Sequence, residues 1–142
     1  MTASRTPDAP RLRVLMVTGA YFPEIGSAGL QCQTVARHLK DHVVIRVLTT
    51  AVDPALPREQ TVDGVLVSRV VLDVTSAWSK IRATMWMVAA LIRILPRIDV
   101  VHIHGYSQKN IPVTAIARLF RRRLVLSLHT AGFDEPGAVG RQ

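Results

Sequence analysis

The sequence predicts a doubly wound α/β domain on a mainly parallel sheet, and three observations carry that expectation. Short β-branched, apolar runs alternate along the chain with segments of 3.6-residue apolar period. The first run is joined to the first helical segment by a glycine-bearing loop, Gly19 to Gly29. The next run follows that helix after only a few residues, so strand, helix and strand form a right-handed parallel crossover.

Leu12 to Thr18 is a near-continuous apolar run, suited to a strand covered on both faces. After Gly29, Cys32, Val35, Ala36 and Leu39 recur at helical spacing and mark the buried face, with Gln33, Arg37 and Lys40 elsewhere around the wheel. Val43 to Thr49 is a second strand. Ala51 to Gly64, with Pro54 and Pro57, reads as a surface loop, and Val65 to Val71 as a third strand at a sheet edge with its direction open. From Ser76 the period is helical again: Trp78, Ile81, Met85, Val88, Ile92 and Leu95 share one face, expected to be the core stripe, and Pro96 stops the helix. Trp86 falls between Arg82 and Arg93 on another side. That bracket suits an interfacial helix touching lipid or a partner, although a well-buried helix gives the same pattern and is the preferred reading. Asp99 to His104 is a fourth strand. Asn110 can cap the following helix, with Pro112 in its first turn and Val113, Ile116, Ala117 and Phe120 as its buried stripe. Arg121, Arg122 and Arg123 close that helix against the negative end of its dipole, and Leu124 to Leu128 is a fifth strand.

With 142 residues, nearly half of them hydrophobic, the chain is expected to be one domain over residues 11–142 behind a loose polar tail, residues 1–10. The tail has no apolar segment of the signal-peptide kind, and Met85 to Ile92, the longest apolar run, is far short of the about 20 residues that span a bilayer. A lone cysteine, Cys32, excludes a disulfide framework and suits a reducing, cytoplasmic setting; a core thiol is the better reading than a nucleophile. The net charge of +8 calls for an anionic partner, whether nucleic acid, an acidic membrane or a phosphorylated ligand.

In doubly wound sheets ligands bind beyond the carboxyl ends of the strands, where strand order reverses. Gly26, Ser27, Gly29, Tyr106, Ser107, His129 and Thr130 lie in loops leaving such ends and can converge on one crevice. Positive φ at Gly26 and Gly29 would let the backbone approach an anion held by the first amides of the helix, while a plain turn accounts for the glycines equally well. His102 and His104 share a strand face but lack the further ligands of a metal site, so no metal is expected.

Taken together, Arg13-Val-Leu-Met-Val-Thr18, Phe22-Pro-Glu-Ile-Gly-Ser-Ala28, Val35-Ala-Arg-His-Leu39, Asp63-Gly-Val-Leu-Val67, Asp99-Val-Val-His-Ile-His-Gly105 and Leu124-Val-Leu-Ser-Leu-His-Thr130 resemble the N-terminal domain of a family 4 glycosyltransferase of the two-domain GT-B type. The resemblance implies a retaining transfer from a nucleotide sugar to an acceptor, without metal or other cofactor, in the cleft between two Rossmann-like domains. It places Gly26 and its neighbour near the donor diphosphate and His129 near the transferred sugar. Where the family commonly has a second glycine this chain has Ser27, so either Ser27 supplies the amide or Gly29 does. After the fifth strand about a dozen residues remain, so the chain is expected to be an acceptor-side half that lacks the donor-binding second domain and is inactive alone. Arg82, Trp86, Arg93 and Arg121 to Arg123 would form an anion or membrane surface, on the inner face of the membrane if the protein is peripheral. Two rivals remain: a nicotinamide-binding Rossmann domain, which would want an acidic residue ending the second strand where Thr49-Thr50 stands, and a non-enzymatic basic module for RNA or membrane.

Overall fold

A computed structural model of the protein describes residues 10–24, 26–105 and 110–127. It contains β1 (Arg13–Thr18), α1 (Ser27–Leu39), β2 (Val44–Ala51), β3 (Glu59–Val62), β4 (Val65–Val71), α2 (Ala77–Ile94) with a 3-10 turn at Leu95–Arg97, β5 (Val100–His104), α3 (Asn110–Leu119) and β6 (Arg123–Ser127). The strands form a single sheet of order β3-β4-β2-β1-β5-β6, parallel except for the antiparallel pair β3 and β4. The doubly wound α/β class is therefore observed.

Alternation along the strands divides the core in two. Val14 and Met16 of β1 join Cys32 and Ala36 under α1, whereas Leu15 and Val17 join Ala83, Met87 and Leu91 of α2 and Val113 and Ala117 of α3 on the other face. Cys32 is fully enclosed, burial pushes its thiol up to about 12, and the thiol hydrogen points to the Met16 sulfur at 3.8 Å. It is a core group, with no thiolate for chemistry at neutral pH.

Three sequence expectations are corrected here. The segment 51–64 is not all loop, because Glu59–Val62 forms β3, which makes β3 the edge and puts β4 inside it, parallel to β2. The hairpin turns on Asp63 and Gly64 with φ of 50° and 78°, the two successive positive values that a two-residue turn between twisted strands requires. On α1, Gln33 rather than Leu39 belongs to the buried face: the Gln33 amide donates to the Asp63 carboxylate at 3.3 Å, and Leu39 is 38% exposed. On α2 most of the expected core stripe faces outward, with Val88 half-buried at its margin. Trp78, Ile81, Met85 and Ile92 are exposed, and Ser79, Ala83, Met87, Leu91 and Ile94 are buried, with Leu95 just beyond the helix buried as expected. Ser79 decides the rotation: its hydroxyl accepts from the Asp73 amide at 2.9 Å, which holds the first turn of α2 against the end of β4.

Charged contacts tie the layers at their rims. Arg37 and Gln33 hydrogen-bond the Asp63 carboxylate, and Lys40 donates to the Asp63 carbonyl at 3.0 Å, so the hairpin tip is fastened to α1. Arg13 binds Asp99 through its side chain and through its backbone amide at 2.9 Å. Hydrogen bonds from Arg37 and from Arg13 hold Asp63 and Asp99 below the usual carboxylate range. Depressed folded-state values mean that this stabilisation is complete above the unfolded carboxylate value, about 4, and is lost as pH falls below it. We expect the melting temperature to drop as pH is lowered from 5 to 3, and an Asp63→Asn chain to show a shallower drop, measured by circular dichroism.

Candidate functional site

Strand order reverses between β1 and β5: the chain moves from β1 outward to β2 and β4, then returns past β1 to β5 and β6. The carboxyl ends of β1 and β5 therefore flank a crevice, and the first turn of α1 points into it. Gly26 is the N-cap of α1, with extended backbone (φ −157°, ψ 149°), and its carbonyl accepts the first helical bond from Leu30 at 2.8 Å. Ser27 is the first helical residue and exposed; Gly29 is the third and buried. No side chain caps this turn and no acidic residue lies in it, so among the described residues the leading amides and the positive end of the dipole have no anion in that turn to satisfy them.

The glycines work differently from the expectation. Neither Gly26 nor Gly29 has positive φ. Gly29 is required by close approach, because a Cβ there would stand 2.2 Å from the Ala20 carbonyl oxygen and 2.9 Å from its carbon. It sits inside the helix against the loop, and Ser27 is the residue whose amide and side chain face outward from the helix start. Across the crevice Gly105, with φ of 80°, passes so near α1 that its Cβ would be 3.2 Å from that of Ala28.

The loop itself is braced by residues that the sequence pattern does not single out. Ala20 accepts from the Thr18 hydroxyl at 3.1 Å, and Gly19 from that of Thr50 at 2.8 Å. Glu24 receives the amides of Val52 and Asp53 on one carboxylate oxygen, at 2.7 and 3.0 Å, which fixes the loop after β2 beside the loop after β1. Arg69 is almost wholly buried and donates to the Phe22 carbonyl at 2.8 Å, the Pro57 carbonyl at 3.1 Å and Gln60 Oε1 at 3.0 Å. Burial lowers its pKa, while the Glu24 carboxylate favours its charge. The peptide between Phe22 and Pro23 is cis.

On β5, His104 is buried, and its ring stacks on that of His102 with centroids 4.0 Å apart; His102 Nε2 meets the Ser127 hydroxyl at 2.7 Å. Asn110 begins α3, and its side-chain amide donates to the Gly105 carbonyl at 2.7 Å, which ties the start of α3 to the residue after β5. Tyr106, Ser107, His129 and Thr130 fall outside the described residues. The structure thus places Gly26 and Ser27 at the crevice, while Gly29 is buried against the Ala20 carbonyl.

The basic candidates divide into two groups. Arg82, Trp86 and Arg93 lie on one flank of α2, exposed, with Arg58 of the loop before β3 stacked over the Trp86 ring at 5.5 Å. The preference for a buried Trp86 is thereby corrected. Arg121, Arg122 and Arg123 stand at the α3 to β6 junction, where Arg121 takes φ of 55° and the Arg122 amide caps the Ala117 carbonyl at 2.9 Å. No helix among the described residues is long and apolar enough to cross a membrane.

A sheet of this order with a braced loop at the switch point and an uncapped helix start belongs to a fold found in several solved structures. Sucrose-phosphate synthase from Thermosynechococcus elongatus superposes with a TM-score of 0.65 at 11% identity, over 90% of this chain and 37% of that one. The trehalose-6-phosphate synthase of E. coli with UDP-2-fluoro glucose bound gives 0.52 at 13% identity, over 89% and 36%. A hydrogenase C-terminal domain from Pyrococcus furiosus gives 0.60 at 14% identity, over 87% and 96%. The chain spans little more than a third of the two synthases. At such identities these likenesses show the fold alone, and the hydrogenase domain illustrates that the fold serves more than one function. No curated protein matches the chain in sequence. The architecture is that of the N-terminal domain of a GT-B glycosyltransferase. Residues 26–142 match the model of the glycosyl transferase 4-like domain, and the chain belongs to that family.

Proposed function

We propose that this domain is the acceptor side of a retaining, metal-independent glycosyltransferase that draws its sugar from a nucleotide-sugar donor. It works with a second domain that binds most of the nucleotide, in the cytoplasm and peripherally on the inner face of a membrane. The observation that carries the reading is the start of α1, where an uncapped first turn holding no acidic residue opens at the switch point of a glycosyl transferase 4-like domain. A diphosphate on the Gly26 and Ser27 amides would receive the hydrogen bonds those donors lack. Its departure from the sugar would be eased by the same donors, since they are fixed before charge develops. Tyr106, Ser107 and Thr130 would line the sugar and acceptor pockets, and the His129 imidazole would orient a sugar hydroxyl.

The test uses an enzyme in which this domain is joined to a donor-binding domain. Ser27→Pro removes one amide donor at a helix position that tolerates proline, so donor affinity should weaken about tenfold by calorimetry. His129→Ala should lower turnover roughly a hundredfold with a smaller effect on donor binding, the scale expected when one polar group is removed from the transition state. Unchanged donor affinity and turnover in both would remove these residues from the site, and binding of a nicotinamide dinucleotide in place of a nucleotide sugar would favour a dinucleotide-binding domain.

A further inference from the structure

Two features of α2 remain unused by the proposed reaction. The first is a groove of about 1340 Å³ between α2 and the strands β2 and β4. Its floor is aliphatic, with Leu48, Leu66 and Val70, while seven arginines and a single carboxylate, Glu59, line it. Glu59 is shared by Arg46 at 3.1 Å and Arg93 at 3.6 Å. Arg58, Arg82 and Arg97 have no carboxylate partner among the described residues. The second feature is the outward face of the helix, directly beside that arginine flank. Trp78 is 72% exposed, Met85 68%, and Ile81 and Ile92 just over half, at the i, i+3, i+7 and i+14 positions of one stripe. A helix that buries Ala83, Met87 and Leu91 on one side and presents this stripe on the other is apolar on two opposed faces, and the core covers only one of them.

We propose that α2 is the docking surface for an anionic phospholipid bilayer, lying in the plane of the interface with Trp78, Ile81, Met85 and Ile92 in the acyl boundary and Arg58, Arg82 and Arg93 on headgroup phosphates. This deepens the peripheral placement proposed above and rests on it. Charge complementarity selects the occupant. An RNA strand would neutralise the arginines but leave the apolar stripe in water, and a second copy of the chain would set one arginine flank against another. A bilayer with anionic headgroups satisfies both parts at once: tryptophan favours the headgroup level, arginine reaches phosphate while its stem lies along apolar surface, and the surface potential adds to both.

The chain reports on this surface without modification, because its two tryptophans both lie on α2. With vesicles of phosphatidylcholine and phosphatidylglycerol the emission should shift to the blue and be quenched by lipids brominated on the acyl chain, and added salt should reverse both. Phosphatidylcholine alone should leave the emission unchanged. In co-sedimentation, Arg82→Glu with Arg93→Glu should lower partitioning at least about tenfold, and Ile81→Ser with Met85→Ser by a similar factor; all four side chains are exposed, and circular dichroism checks that the fold is kept. Arg11→Glu with Arg118→Glu, an equal change of charge away from α2, should lose only a few-fold. An equal loss in that control would leave membrane binding standing and overturn the assignment to α2. Absence of partitioning onto either vesicle would overturn the peripheral placement, equal partitioning onto neutral and anionic vesicles would overturn the assignment of the arginines to headgroup phosphates, and a dimer dissociated by Ile81→Ser with Met85→Ser would give the stripe to a second copy.

Discussion

Replacing Gly29 by alanine should destabilise the chain by about 3 kcal/mol, a roughly 150-fold change in the folding equilibrium and a fall of about 10 °C in melting temperature. The methyl carbon would stand 2.2 Å from the Ala20 carbonyl oxygen, well inside contact distance. That oxygen cannot retreat freely, because it is held by the Thr18 hydroxyl and the preceding residue is held by Thr50. Relief requires α1 to move off the sheet, which opens the packing of Cys32 and Ala36 on Met16. A helix-propensity gain of up to about 1 kcal/mol from alanine works in the opposite direction and is too small to offset the clash. Chemical denaturation of Gly29→Ala and Gly26→Ala side by side is the measurement. Gly26, where a Cβ would meet only the Ala20 methyl carbon at 3.4 Å, should cost less than about 1 kcal/mol. Equal losses at both positions would contradict the close approach as the reason for Gly29.

Arg69→Met should lower stability by about 3 kcal/mol and loosen the loop between β1 and α1 more than the sheet. The guanidinium supplies three hydrogen bonds, one to Phe22 in that loop and two to the segment Pro57 to Gln60, so it joins two stretches of chain that are far apart in sequence. Methionine fills much of the volume and avoids burying a charge, which isolates the loss of the bonds from the loss of packing. Hydrogen exchange should speed up at residues 20–24 and at 57–60 while the amides of Val47 and Leu48 keep their protection. Uniform acceleration across the sheet would show that Arg69 holds the core rather than the loop.

The strands that form the centre of the sheet were legible as β-branched runs, and the uncapped helix start at Gly26 and Ser27 was legible as glycine placed between strand and helix. β3 was not, because Glu59-Gln-Thr-Val62 is mostly polar and becomes a strand only by pairing with β4. The signal that could have revealed it was Asp63-Gly64, a hairpin turn read instead as the end of a loop. The orientation of α2 was misread because the helix carries two apolar stripes of similar strength; periodicity finds both and cannot say which one meets the sheet. The braces at Glu24 and Arg69 were hidden for a different reason, since their partners at Val52, Asp53 and Phe22 lie 28 to 47 residues away and a carboxylate receiving backbone amides leaves no local pattern.

The register of β1 against β5, Val14 with Val100 through Val17 with Ile103, is bridged at its open end by Arg13 and Asp99, 86 residues apart. During synthesis β1 can pair with β2 as soon as α1 has closed the first crossover, but its other edge waits for the whole hairpin and α2 to emerge. Until then an inner strand of the finished sheet is an edge strand, with Leu15 and Val17 uncovered on the face that α2 and α3 will later occupy. Non-local closure of this kind is slow, so the nascent chain passes through a sticky half-sheet. Its yield on refolding should therefore depend on protein concentration far more than the stability of the finished domain does.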